Sequence, residues 1–160
     1  MATNSEIVGD TLEHYAQRGF FRGYSRISES SGKALFRIRW HHEKFFDIQY
    51  DVKTNTIKFP VLLPEIPSDS DMYKSFKKFV KARQADTLPD HRRIEVSKAQ
   101  VKTLNRKGNV TLSLKLLDDD IEYGAKKIVH LAHEVFMDFL MDGLYYDYLV
   151  DVFDLDPDAV

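Results

Sequence analysis

Three residues near the end of the chain, His130, His133 and Glu134, have side chains that can ligate a metal ion. Residues three and four positions apart lie on one face of a helix, so two imidazoles, or an imidazole and a carboxylate, could share a divalent cation. Their order, HxxHE, differs from the HExxH and HxxEH patterns of zinc proteases, and no nearby third ligand follows from the sequence. A metal-dependent enzyme is therefore the second alternative function, exposed polar residues are the default interpretation, and no cofactor is predicted.

A second group of candidates is basic and could bind an anion. Arg37 and Arg39 share one face of a predicted strand, and Arg92 and Arg93 would join them if their strands are adjacent. Cations that follow phosphates, with aromatic side chains that stack on bases, are typical of single-stranded nucleic-acid binding. Trp40 falls on the opposite face from Arg37 and Arg39, which favours a core position for it. A nucleic-acid-associated accessory protein is the first alternative function.

The metal candidates lie on the longest segment with a continuous helical period, residues 118–143. Its apolar positions predict one broad buried stripe, formed by Ile128, Ala132, Val135, Phe136 and Phe139. Aspartates suit its start and Gly143 suits its end. Met137, Met141 and Leu144 lie on the other side at i, i+4 and i+7, and methionine is common at adaptable binding surfaces. Either these three residues contact a partner polypeptide or a second copy of the chain, or residues 145–153 fold back and cover them.

Charge is divided unevenly along the chain, although the net charge is only −2. Residues 1–117 contain 21 Lys and Arg against 13 Asp and Glu, whereas residues 118–160 contain 2 against 12. Such a dipole can steer a charged partner, or the acidic end can rest on the basic body.

The chain has no cysteine. It also has no apolar run long enough for a membrane and no secretion-type N-terminus, so we expect a cytoplasmic protein with no membrane partner.

The rest of the chain supplies the elements that must position these residues. Periodicity predicts helices over residues 5–18 and 71–83, alternating strands over 33–41 and 45–52, and a hairpin over 94–116. The stretch PVLLPEIP, residues 60–67, predicts an irregular crossover, because proline cannot donate to a sheet ladder. The order α-βββ(β)-α-ββ-α predicts a single α+β domain over residues 1–153, with a mainly antiparallel sheet of five to six strands, three main helices and an acidic tail over 154–160.

In this order of elements the chain resembles the small secretion-chaperone-like α/β domains, in which the last helix supports dimer formation or client binding. The resemblance rests on element order, and no individual residue is carried over from it. The sequence has no nucleophile elbow, no phosphate-binding glycine loop and no cysteine. We therefore predict a non-enzymatic protein-binding module, chaperone- or adaptor-like, that forms a homodimer or binds a client through its C-terminal helix.

Overall fold

The computed structural model describes residues 3–85, 87–90 and 92–154. It shows an antiparallel six-stranded sheet in the order β1-β2-β3-β4-β6-β5. The strands are β1 (Gly23–Ser30), β2 (Lys33–Arg39), β3 (Phe45–Asp51), β4 (Thr56–Leu63), β5 (Ala99–Arg106) and β6 (Asn109–Leu116). The helices are α1 (Asn4–Gln17), α2 (Asp71–Ala82), α3 (Ile121–Glu134) and α4 (Tyr146–Val152), with a 3-10 turn (His41–Glu43) and a π segment (Val135–Met141). The α+β class is confirmed, with one helix more than the three main helices predicted.

One face of the sheet is buried under the helices, and the alternation of each strand decides which side chains it contains. The inner side chains of β2 and β3 are at most 4% exposed: Ala34, Phe36, Ile38, Phe46, Ile48 and Tyr50. The other face, which we call the open face, carries the half-buried and exposed residues that alternate with them. On β2 to β6 these include Lys33, Leu35, Arg37, Arg39, Phe45, Asp47, Gln49, Asp51, Thr56, Lys58, Val61, Lys102, Leu104, Arg106, Ser113 and Lys115.

Part of the segment predicted to be an irregular crossover is a strand, because β4 continues to Leu63. Its pairing with β6 shifts register between Phe59 and Leu63, and this bulge accommodates Pro60, which has no N–H to donate. The hydroxyl of Thr111 donates a hydrogen bond of 2.6 Å to the carbonyl of Pro60. The proline therefore interrupts the ladder without ending the strand.

The helix predicted over residues 118–143 begins at Ile121 and becomes π-helical at Val135. The last turn is closed by the amide of Asp142, which donates to the carbonyl of Met137 at 3.0 Å. A π turn rotates the residues that follow it relative to α-helical spacing, and such segments are frequent at functional sites. Met141 accordingly packs against the core, whereas Met137 remains 38% exposed.

Gly143 ends this segment without the left-handed conformation that glycine often adopts after a helix. Its φ is not among the positive values of the chain. A Cβ at this position would instead lie 2.2 Å from the carbonyl oxygen of Phe139. Glycine is needed here because the backbone passes too close to the preceding turn for any side chain.

The chain beyond α4 returns to the sheet. Phe153 is buried, and the carboxylate of Asp154 lies 2.7 Å from the ammonium of Lys44. Residues 155–160 of the predicted acidic tail lie outside the described residues. No helix in the described ranges is both long and apolar enough to cross a membrane.

Candidate functional site

The three predicted metal ligands are turned toward different partners. His130 Nε2 lies 3.3 Å from the hydroxyl of Tyr15, and His133 Nδ1 lies 3.4 Å from Nε2 of His41. Glu134 accepts hydrogen bonds from arginine side chains instead. Among residues 3–85, 87–90 and 92–154, no group of three or more His, Asp or Glu is placed to hold a metal ion. The geometry therefore lends no support to a metal centre at this helix face.

His41 has an environment that the sequence pattern did not reveal. Its ring centroid lies 4.2 Å from that of Phe136 and 4.4 Å from that of Trp40. Burial, together with the nearby charge of His133, lowers the pKa of His41 to about 3. Burial also lowers the pKa of His133. At neutral pH the two rings are uncharged, so they pack the 3-10 turn against the end of α3 and the π segment.

Glu134 is the centre of a partly buried ion-pair cluster. Its carboxylate lies 2.9 Å from the guanidinium of Arg83 and 3.2 Å from that of Arg92. The side chains of Glu134 and Arg83 are only 14% and 15% exposed. Arg92 also reaches Asp138 at 3.4 Å, and Arg83 lies over the ring of Phe79. The cluster fixes the connection between α2 and β5 to the end of α3.

The four predicted anion-binding arginines do not form one patch. Arg37 and Arg39 lie on the open face, whereas Arg92 contacts the helical layer and Arg93 lies in the same connection. All four are paired with carboxylates: Arg37 with Asp47, Arg39 with Glu43, Arg92 with Glu134 and Asp138, and Arg93 with Asp90 and Glu95. Their positive charge is therefore partly compensated within the chain.

The predicted partner-binding residues are unequally exposed. Leu144 is 92% exposed and Met137 is 38% exposed, whereas Met141 is partly buried against the core. The helix α4 follows directly and packs on the π segment. The chain's own C-terminal residues thus cover part of this surface, and Met137 and Leu144 remain on its outside.

A groove opens in the sheet where β3 and β4 diverge. These two strands pair over only three residues each, at the end of β3 and the start of β4, where Tyr50 lies opposite Ile57. The start of β3 and the end of β4 are not paired with each other. The groove has a volume of about 580 Å³, and Phe45 and Val61 line it with 68% and 42% of their surface exposed. Val152 and Phe153, at the end of α4, also line it. It is an open, largely apolar groove bounded by two strand edges.

The rim of the groove is charged with both signs. Arg37 and Asp47 are joined by a hydrogen bond of 2.8 Å, and Lys44 is joined to Asp154, which follows Phe153 in the chain. Glu65 completes the rim. Apolar walls, an exposed aromatic ring and strand edges without a mutual ladder suit recognition of an extended polypeptide.

Phe45 and Val61 were not among the partner-binding residues predicted from the sequence. The outward orientation of the Phe45 side chain follows from the alternation of β3, because Phe46, Ile48 and Tyr50 are the buried residues and Phe45 falls on the opposite face. Val61 gave no such signal, because its direction depends on the bulge at Pro60.

Comparison with protein-family models, with curated proteins and with solved structures finds no match for this chain. The groove, the open face and the clusters described above are therefore the grounds on which a function can be argued.

Proposed function

We propose that the chain is a non-enzymatic protein-binding module, chaperone- or adaptor-like, that takes an extended segment of a partner polypeptide. The observation that carries this proposal is the groove between β3 and β4, with Phe45 and Val61 exposed in it. A strand edge binds an extended peptide through main-chain hydrogen bonds, and pockets for alternate side chains give specificity. Exposed apolar side chains gathered in a concave site favour binding over an incidental surface position.

The rim charges favour binding over catalysis. Arg37 and Asp47 neutralise each other, as do Lys44 and Asp154, so four of the charged groups on the rim are engaged in pairs, and Glu65 is a further rim carboxylate. General acid–base catalysis needs a titratable group within reach of a substrate proton. The exposed apolar side chains of this groove are an aromatic ring, Phe45, and an aliphatic side chain, Val61, which offer contact area rather than a proton.

Selection from a phage-displayed library of short random peptides tests the proposal. Wild-type protein should enrich peptides, and Phe45→Ser should weaken the binding of their synthetic versions by roughly tenfold, as expected for an aromatic anchor in a pocket. Leu117→Ser is the matched control, because Leu117 is 53% exposed and does not line the groove. The proposal fails if no peptide is enriched, or if the selected peptides bind Phe45→Ser as tightly as wild type.

Self-association is a separate part of the proposal, and Met137 and Leu144 are its candidate contact. Their exposure on the outside of the C-terminal segment supports an apolar contact with a second copy. Light scattering should give twice the monomer mass for wild type, and Met137→Glu should give a monomer, because a carboxylate would be buried without a partner. If wild type is a monomer and the substitution does not change its mass, the homodimer is ruled out. The proposal that the groove binds a polypeptide does not depend on this result.

A further inference from the structure

The open face of the sheet is strongly basic. Its outward charged side chains on β2 to β6 are seven cations, Lys33, Arg37, Arg39, Lys58, Lys102, Arg106 and Lys115, and two anions, Asp47 and Asp51. The whole chain has a net charge of −2. The positive excess is therefore local to this face.

Three of the lysines surround Ser113, and we call them the lysine triangle. The strand register places Ser113 directly between Lys58 on β4 and Lys102 on β5. Lys115 lies two residues further along β6 on the same face. Neighbouring strands are about 4.8 Å apart and diagonal neighbours about 7 to 8 Å apart, so the three ammonium groups can converge on one anion.

Repulsion within the lysine triangle disfavours the sheet. Like charges on neighbouring strands repel and destabilise a sheet. Within the described residues, the ion pairs on the open face involve Arg37 and Arg39, with Asp47 and Glu43 as their partners. An anionic ligand would account for three lysines held together with no carboxylate between them.

We propose that the open face binds an acidic, extended segment of the partner polypeptide, an inference that rests on the proposed function and names the chemistry of its partner. Charge complementarity sets the sign of the segment. The aliphatic side chains of Leu35, Val61 and Leu104 lie on the same face, and Phe45 is its exposed aromatic residue on β2 to β6. Single-stranded nucleic-acid sites stack successive bases on several aromatic rings. Carboxylates interleaved with aliphatic side chains fit this surface better than bases do.

The groove and the open face form one continuous surface. Arg37 lines the groove and also belongs to the open face. On β4, Lys58 lies three residues before Val61, and Val61 lines the same groove. One extended segment can therefore place an apolar side chain beside Phe45 and its carboxylates over the lysine triangle.

Three labelled probes test this inference by fluorescence anisotropy: a 20-residue peptide of Glu, Val and Ser, its counterpart with Gln for every Glu, and a 20-nucleotide deoxythymidine strand. Replacing all three lysines of the triangle with Gln should weaken binding of the Glu peptide by roughly tenfold or more. The matched control replaces Lys74, Lys78 and Lys81 with Gln, since these lysines are exposed on α2 and the change in charge is the same. We expect the control to change binding by less than about threefold.

The possible outcomes separate the acidic partner proposed here from the protein-binding function on which it rests. Equal binding of the Glu and Gln peptides, or equal loss in the triangle and control variants, overturns the acidic partner. Tighter, triangle-dependent binding of the deoxythymidine strand overturns it in favour of nucleic acid. If library peptides bind in a Phe45-dependent manner but do not depend on the triangle, the protein-binding function stands and the acidic partner falls. If no library peptide is enriched, the function itself fails.

Thermal stability gives a second readout that does not need a ligand. The triangle variant should melt at the same temperature as wild type or higher, because repulsion between the lysines is relieved. A clear fall in the melting temperature would show that the lysines support the fold, and it would overturn their assignment to a partner.

Discussion

Glu134→Ala should lower the free energy of unfolding by about 3 kcal/mol, because it leaves two guanidinium groups without their shared carboxylate in a partly buried site. Arg83 is only 15% exposed, and its Nε is buried without a hydrogen-bond partner among the described residues. Without Glu134, the charge of Arg83 would keep, among the described residues, its contact with the ring of Phe79. Urea denaturation followed by circular dichroism measures the loss.

Glu122→Ala is the matched control for this prediction. Glu122 also belongs to α3 and pairs with Lys126 at 2.7 Å, but both side chains are more than half exposed. Exposed i, i+4 pairs contribute about 0.3 to 0.5 kcal/mol, so this variant should remain close to wild type. Similar losses in the two variants would mean that the cluster around Glu134 is not a buried pair.

Acidification should destabilise the protein before its carboxylates titrate. Burial lowers the pKa of His41 in the folded chain to about 3 from an ordinary value of 6.5. Below pH 6.5 the unfolded chain binds a proton that the folded chain excludes. The stability that the uncharged ring of His41 contributes is therefore fully present above that pH, and it is lost progressively as the pH falls toward 3. Between pH 6.5 and about 4.5 the loss should be about 2 kcal/mol from this residue, and the lowered pKa of His133 adds to it.

His41→Phe isolates this effect, since phenylalanine keeps a ring against Phe136 and Trp40 but cannot take up a proton. The decrease in the free energy of unfolding between pH 6.5 and 4.5 should be smaller in this variant by about 2 kcal/mol. His14→Gln, at an exposed position of α1, is the matched control. An unchanged pH profile in His41→Phe would show that the buried ring is not the source of the acid sensitivity.

The sheet could be predicted from the sequence because its strands alternate cleanly. In β2 and β3 each buried residue is followed by an outward one, so Phe36 and Ile48 were assignable to the core without any tertiary information. The continuation of β4 past Pro60 was not predictable, because a bulge depends on the partner strand and leaves no fixed local pattern.

The groups of candidate residues were less predictable than the strands, because they depend on contacts between distant parts of the chain. His133 was grouped with His130 by helical spacing, but its partner is His41, which is 92 residues away. The change from α to π geometry at Val135 likewise separated Met137 from Met141, although their i, i+4 spacing placed them together. Spacing alone identifies a shared helix face only where the helix stays regular.

The central claim is that the groove between β3 and β4 is where a partner polypeptide binds. Titrating a library-selected peptide into ¹⁵N-labelled protein and following the amide resonances tests it most directly. We predict that the largest shifts fall on residues 45–48 of β3 and on 59 and 61–63 of β4, and that Phe45→Ser needs roughly tenfold more peptide to reach them. Shifts confined to residues 137–144, with none on β3 or β4, would contradict the claim and assign partner binding to the C-terminal segment instead.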